Sequence, residues 1–186
     1  MSKSPEAAFR DSVLVTLYNN HPRRQPMKPE RLDKIDYNRA FQLYQERFAD
    51  ASDFTFFFVG NIDEAKFKTM VETYIASLPV KNRKETWTDP KAEPITTPVA
   101  KNITRGIEPK STVQLSYMND FTYNRRSLFE MTALVKLLDI KLREKIREEK
   151  GGSYGVQVSP SPSKYPKERF QLTISFGCAP EKAQEL

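Results

Sequence analysis

The stretch that most limits what this chain can fold into runs from Leu128 to Val158, where a helical pattern stops at two glycines and a strand pattern begins. Leu128, Met131, Leu134, Val135, Leu138, Leu142 and Ile146 recur at helical spacing over about five turns. Gly151 and Gly152 follow the last of them, where a helix ends most cheaply in a left-handed residue that lacks a Cβ. Tyr154, Val156 and Val158 then alternate with Gly155, Gln157 and Ser159, the period of a strand. The chain therefore reverses after Arg147. That reversal brings a guanidinium from the last helical turn and a phenol from the strand start to one edge of a sheet. On spacing alone the pair has a plain structural meaning: Arg147 offsets the helix dipole and Tyr154 packs at a strand end.

The run Ile146-Arg147-Glu148-Glu149, then Gly151, then Tyr154-Gly155-Val156 resembles the pitrilysin/insulinase metallopeptidases, in the half of the molecule that lacks the zinc motif. The resemblance extends both ways. Upstream, Phe54 to Asp63 is similar to the family's strand ending in Val-Gly-Asp/Asn-x-Asp, followed by a helix that closes with Ser77-Leu78-Pro79. Downstream, Phe170 to Phe176 and Pro180-Glu181 match the next strand and helix start. The similarity runs from Ser4 to the end of the chain, and the order and spacing of the pieces carry it.

Composition is consistent with a globular α/β piece. The chain has 186 residues, 38% hydrophobic and 29% charged, enough for one ordinary domain or two small ones. No apolar run approaches the roughly 20 residues that span a bilayer, so membrane insertion is not expected. Glu181 to Leu186 reads as a helix barely begun, which suggests a piece of a longer protein. The net charge of +6 raises nucleic acid as a partner, but the basic residues are scattered among 24 acidic ones, with a local cluster only at His21-Pro22-Arg23-Arg24. Lys150 to Val156 has the outline of an RNA-recognition strand, yet Gly152 stands where its first aromatic is needed. No nucleic acid is expected.

Taken in order, Ser4, Pro5 and Glu6 form a good helix start, with Phe9, Val13 and Leu17 as its buried face. Pro22, Pro26 and Pro29 predict an extended, unhelical segment. A second helix follows from Asp36, with Tyr37, Ala40, Phe41, Tyr44 and Phe48 on one face, a stripe read as core. Phe54 to Val59 reads as a strand buried on both faces, which needs a sheet formed with the later strands or with another copy of the chain. Asp63 opens a third helix, with Phe67, Met70, Val71, Tyr74, Ile75 and Leu78 inward. Residues 80–109 form a proline-rich linker without periodicity. Thr112 to Tyr117 is a strand; Pro160, Pro162 and Pro166 predict a loop; Phe170 to Phe176 is the return strand of a hairpin. The expected fold is an α/β (α+β) sandwich with a largely antiparallel sheet faced by helices. By resemblance, residues 1–79 are the C-terminal part of one pitrilysin-like repeat and 110–186 the start of the next, either separate or folded as one unit.

A zinc peptidase needs convergent metal ligands and a base for the attacking water. This chain has a single histidine, His21, a single cysteine, Cys178, and no His-x-x-Glu-His. It therefore contributes no metal ligand or cofactor site of its own. His21 before Pro22 reads as structural, as the family's His-Pro pair at this linker implies, and Cys178 as a small core residue. Glu148 and Glu149 read as a solvated helix end. What the resemblance implies is narrower: zinc is bound by the other half of the full-length enzyme. Arg147 and Tyr154, seven residues apart, reach across a closed chamber to the substrate backbone and the oxyanion. A guanidinium offers a fixed fork of donors and a phenol donates to developing negative charge. Gly152-Ser153 departs from the leucine and small residue that the family often has. The expected partners are a peptide substrate and the zinc-bearing half, with the isolated chain inactive. Two other readings stand beside this one: a catalytically inactive core-subunit-like homologue, and a basic nucleic-acid-binding α/β module.

Overall fold

The computed structural model describes residues 4–186; the side chain of Tyr154 lies outside the described portion. Two compact units are present: the chain up to Pro26 together with Asp89–Leu186, and Met27–Thr88.

The first unit is built on an antiparallel sheet of three strands in the order β1-β3-β2. They are β1 (Ser111–Asp120), β2 (Ser153–Ser163) and β3 (Arg169–Cys178). Alternation sends Val156 and Val158 of β2 and Leu172, Ile174, Phe176 and Cys178 of β3 to one face, where all are buried. The helix α5 (Arg125–Leu142) covers that face, with Val135, Leu138 and Leu142 against the cluster. Its winding loosens to a π-helix over Arg143–Glu149, within which Ile146 is buried at 5% exposure. The predicted inward row of α5 is largely observed, but Leu134 lies outside it at 45% exposure. Asn124 caps the helix by accepting from the Ser127 N–H at 2.8 Å.

Pro160 and Pro162 are not in a loop, as the sequence predicts, but in β2, opposite Leu172 and Phe170. The correction has a simple cause. β2 is an edge strand, and prolines two residues apart turn their donor-less nitrogens toward the same, unpaired side. Tyr165-Pro166 then joins β2 to β3 through a cis bond.

The helix α1 (Pro5–Leu17) starts as predicted, with Ser4 Oγ accepting from the Ala7 N–H at 3.1 Å. The irregular segment after Asp89 is tied to this unit. Ile95 N–H donates to Leu17 C=O at 2.8 Å, and Glu93 bonds both Lys167 and Arg169 at the start of β3.

A 3-10 turn at Pro22–Arg24 in the first unit and α2 (Pro29–Leu32) in the second replace the extended segment expected from the prolines. Proline at a first helical position loses no bond, because that N–H has no partner there in any case. The helix α3 (Tyr37–Phe48) is capped by Asp36, and α4 (Glu64–Met70) by Asp63, before it widens to π winding over Val71–Ile75. The aromatic stripe of α3 is not core. Tyr37, Phe41, Tyr44 and Phe48 are exposed and lie against one another along the helix, and Phe48 meets Phe54 with ring centroids 5.8 Å apart. Of the predicted inward face of α4, Met70 and Tyr74 are exposed as well.

Phe54 to Val59 forms no strand and joins no sheet, with Phe57 at 87% and Val59 at 86% exposure. A strand exists only through a partner's backbone, and none pairs with this run among the described residues. The fixed point of the unit is Asp50, which is 2% exposed. Its carboxylate accepts from the backbone N–H of Lys81 (2.9 Å), Arg83 (2.7 Å) and Ser52 (3.1 Å) and from the Ser52 hydroxyl (2.6 Å). These donors, the Lys81 N–H foremost, hold the carboxyl well below the usual aspartate range.

Candidate functional site at the glycine turn

The link between Arg147 and Tyr154 begins with the π turn. Lys150 N–H reaches back to Lys145 C=O at 3.2 Å, and Gly152 N–H to Ile146 C=O at 3.2 Å. Gly151 takes φ +55°, the left-handed value that suits a residue without a Cβ. Gly152 packs closely: a Cβ there would lie 2.5 Å from Leu186 Cδ1, so that side chain would have to shift. Lys150 Nζ closes the turn from outside through Glu185 at 2.9 Å.

The charged residues along this helix end are mostly paired with their own neighbours. Arg143 meets Asp139 at 2.6 Å, Lys141 meets Glu144 at 2.8 Å and Lys145 meets Glu149 at 2.5 Å. Arg147 is exposed and has no ion-pair or hydrogen-bond partner among the described side chains. Among the described side chains its fork of donors is thus uncommitted, which is what recognition of an external acceptor requires.

Tyr154 enters β2 at a register shift. Ser153 pairs with Cys178 and Val156 with Phe176, so Tyr154 and Gly155 together stand opposite the single residue Gly177. This is a β-bulge, one extra residue that shifts the ladder by one position. It corrects the simple alternation of Tyr154 with Val156 and Val158: position 154 is out of step with the core-facing pair. The Ser153 hydroxyl spans the bulge, accepting from Gly155 N–H at 3.2 Å and donating to Gly155 C=O at 2.9 Å. Beside it, Thr112, Gln157, Ser175 and Gly177 line a shallow depression on the sheet face turned away from α5. Parity counting misses the bulge. The available signal is the extra residue between the glycine pair and the Val156 alternation, with Ser153 two positions before a glycine.

The described residues do not fit a zinc centre. Both ring nitrogens of His21 are engaged: Nδ1 accepts from Arg23 N–H at 3.2 Å and Nε2 donates to Pro90 C=O at 3.0 Å. Among the described residues, no group of three histidine, cysteine, aspartate or glutamate side chains is arranged to hold a metal ion. Cys178 is buried in the core at the end of β3; burial, and secondarily the charge of Glu181, raises its thiol above the ordinary value.

A family model described as the peptidase M16 inactive domain matches residues 34–186. The chain belongs to that family. Among curated relatives, it is 26% identical to the probable zinc protease PqqL of Haemophilus influenzae over 97% of this chain and 19% of that one. It is 28% identical to a PQQL-like zinc protease of Arabidopsis thaliana over 99% of this chain and 21% of that one. The chain thus spans about a fifth of the length of these relatives. The crystal structure of the periplasmic protease PqqL from Escherichia coli superposes with a TM-score of 0.83 at 22% identity, covering 97% of this chain and 20% of that one. A mutant of the ferredoxin protease FusC, solved with Arabidopsis ferredoxin, gives 0.70 at 18% identity, covering 98% and 20%. These likenesses show the fold: mixed α/β with an antiparallel sheet and helices.

Proposed function

We infer that this chain is the non-zinc portion of a zinc-dependent peptidase and supplies Arg147 and Tyr154 to the substrate. The observation that carries the reading is the uncommitted guanidinium of Arg147, one glycine turn before a bulge at Tyr154. The names of the relatives support the reaction class, and the FusC complex with ferredoxin supports a protein or peptide as substrate. In this reading Arg147 hydrogen-bonds the substrate backbone and the Tyr154 phenol donates to the oxyanion of the tetrahedral intermediate. The Tyr154 interaction strengthens as negative charge develops on the oxyanion, so it lowers the barrier more than it tightens ground-state binding, while the Arg147 bond orients the substrate. The metal is held by a part of the protein outside this chain, and the zinc-bearing half is the partner across the chamber.

The test uses the full-length protein. Tyr154→Phe removes one donor and keeps the ring, and loss of one such donor typically costs on the order of 10²–10³ in turnover. Melting temperature should stay near wild type. Arg147→Lys should also lose turnover, because an ammonium lacks the planar fork. Wild-type turnover in a fully folded Tyr154→Phe variant would end the catalytic assignment.

A further inference from the structure

The bulge at Tyr154 and Gly155 needs a cause, because a regular ladder would bond more backbone groups. Crowding at Gly155 itself does not supply one: a Cβ added there would meet nothing within 4 Å. Ser153 does. One hydroxyl both accepts from and donates to the backbone of Gly155, at 3.2 and 2.9 Å, which closes a local loop that a flat strand cannot contain. The register shows the consequence. Counting back from Val156 opposite Phe176, an unbulged strand would set Tyr154 opposite the buried Cys178; instead Ser153 holds that place. A shift of one residue exchanges the faces of a strand, so the bulge decides whether position 154 belongs to the core register or leaves it.

We propose that Ser153 is a positioning residue for the peptidase reaction: its hydroxyl locks the bulge that takes Tyr154 out of the core register and presents it to substrate. The proposal rests on the reading of Tyr154 as an oxyanion donor. Ser153 touches no reacting atom in this scheme and acts only through its neighbour. The residue type fits the role, since serine bonds readily to backbone groups two positions on.

The experiment compares Ser153→Ala, Ser153→Thr, Tyr154→Phe and the Ser153→Ala/Tyr154→Phe double variant in the full-length protein. Turnover of an internally quenched peptide gives kcat and KM, and thermal melting checks folding. Ser153→Ala should lower kcat about tenfold with KM nearly unchanged, the effect of losing a tether worth one hydrogen bond. Ser153→Thr keeps the hydroxyl and should return kcat to within about threefold of wild type. In the Tyr154→Phe background, Ser153→Ala should cost nothing further, because the donor it positions is already gone. Additive losses overturn the proposal, as does wild-type kcat in Ser153→Ala while Tyr154→Phe is impaired; the catalytic reading of Tyr154 survives both. Wild-type kcat in Tyr154→Phe removes the catalytic reading and the positioning role with it. Should Ser153→Ala melt early, the threonine variant decides: a folded protein that retains the hydroxyl yet loses turnover overturns the role.

Discussion

Ile146 offers the sharpest test of how the π turn is held, because it is the buried side chain next to Arg147 and packs into the sheet cluster from the helix end. Ile146→Ala removes three carbons from a site that is 5% exposed. At about 0.8 kcal/mol for each buried methylene, the transfer loss is about 2.4 kcal/mol. The cavity left behind brings the total to about 3 kcal/mol, within the roughly 2–5 kcal/mol range for such truncations. Ile146→Val removes one carbon and should cost about 1 kcal/mol. Leu134→Ala is the control, because Leu134 sits on the same helix at 45% exposure and should cost well under about 1 kcal/mol. The assay is denaturant unfolding of the 186-residue chain, with amide exchange of β3 to assign the change to this sheet. A loss of about 3 kcal/mol should also lower the melting point by on the order of 10 °C. If Ile146→Ala costs no more than Leu134→Ala, the helix end does not dock on the sheet as described, and the placement of Arg147 fails with it.

Two further outcomes follow from the electrostatics and the ligand inventory. The hydrogen bond from Lys167, reinforced by Arg169, holds the Glu93 carboxyl below its ordinary 4.5, and Glu93 in turn raises Lys167 above 10.5. Stabilisation from Glu93 is therefore present above pH 4.5 and lost as pH falls through its lowered value; that from Lys167 is present below pH 10.5 and lost as pH rises through its raised value. A carbon-detected NMR titration should give Glu93 a midpoint below 4.5 that moves back toward it in Lys167→Ala, and an unshifted wild-type midpoint counts against the tie. The isolated chain should carry no stoichiometric zinc, since its one histidine uses both ring nitrogens internally; metal analysis of chelator-treated protein after zinc exposure and desalting checks this, and one retained zinc per chain would contradict it.

Legibility in the sequence follows the range of the interaction that sets each feature. The row from Leu128 to Ile146 and the alternation from Phe170 to Phe176 were readable because helix and strand periods are local and one face of each meets the same core. The caps at Ser4, Asp36 and Asp63 are local too, and all three appear. Pro160 and Pro162 were misread because their cost depends on whether β2 is an edge strand, which no count of prolines reveals. The aromatic stripe of α3 and the run from Phe54 to Val59 were misread for a related reason. Periodicity shows which side of an element favours burial; it says nothing about what covers that side, and here both remain exposed.

The candidate site lies between these cases. Arg147 at the helix end and the glycine break were legible, because termination by Gly151 is a backbone property of one residue. The register of Tyr154 was not, because the ladder shifts by one residue between Ser153 and Val156, where a side-chain-to-backbone bond two residues long also sits. The alternation fails at the position proposed to face substrate and holds at Val156 and Val158, which face the core. A strand that fills a core gains from strict alternation. A strand in which one position leaves the core register has to break step once, and Ser153 is placed where that break occurs.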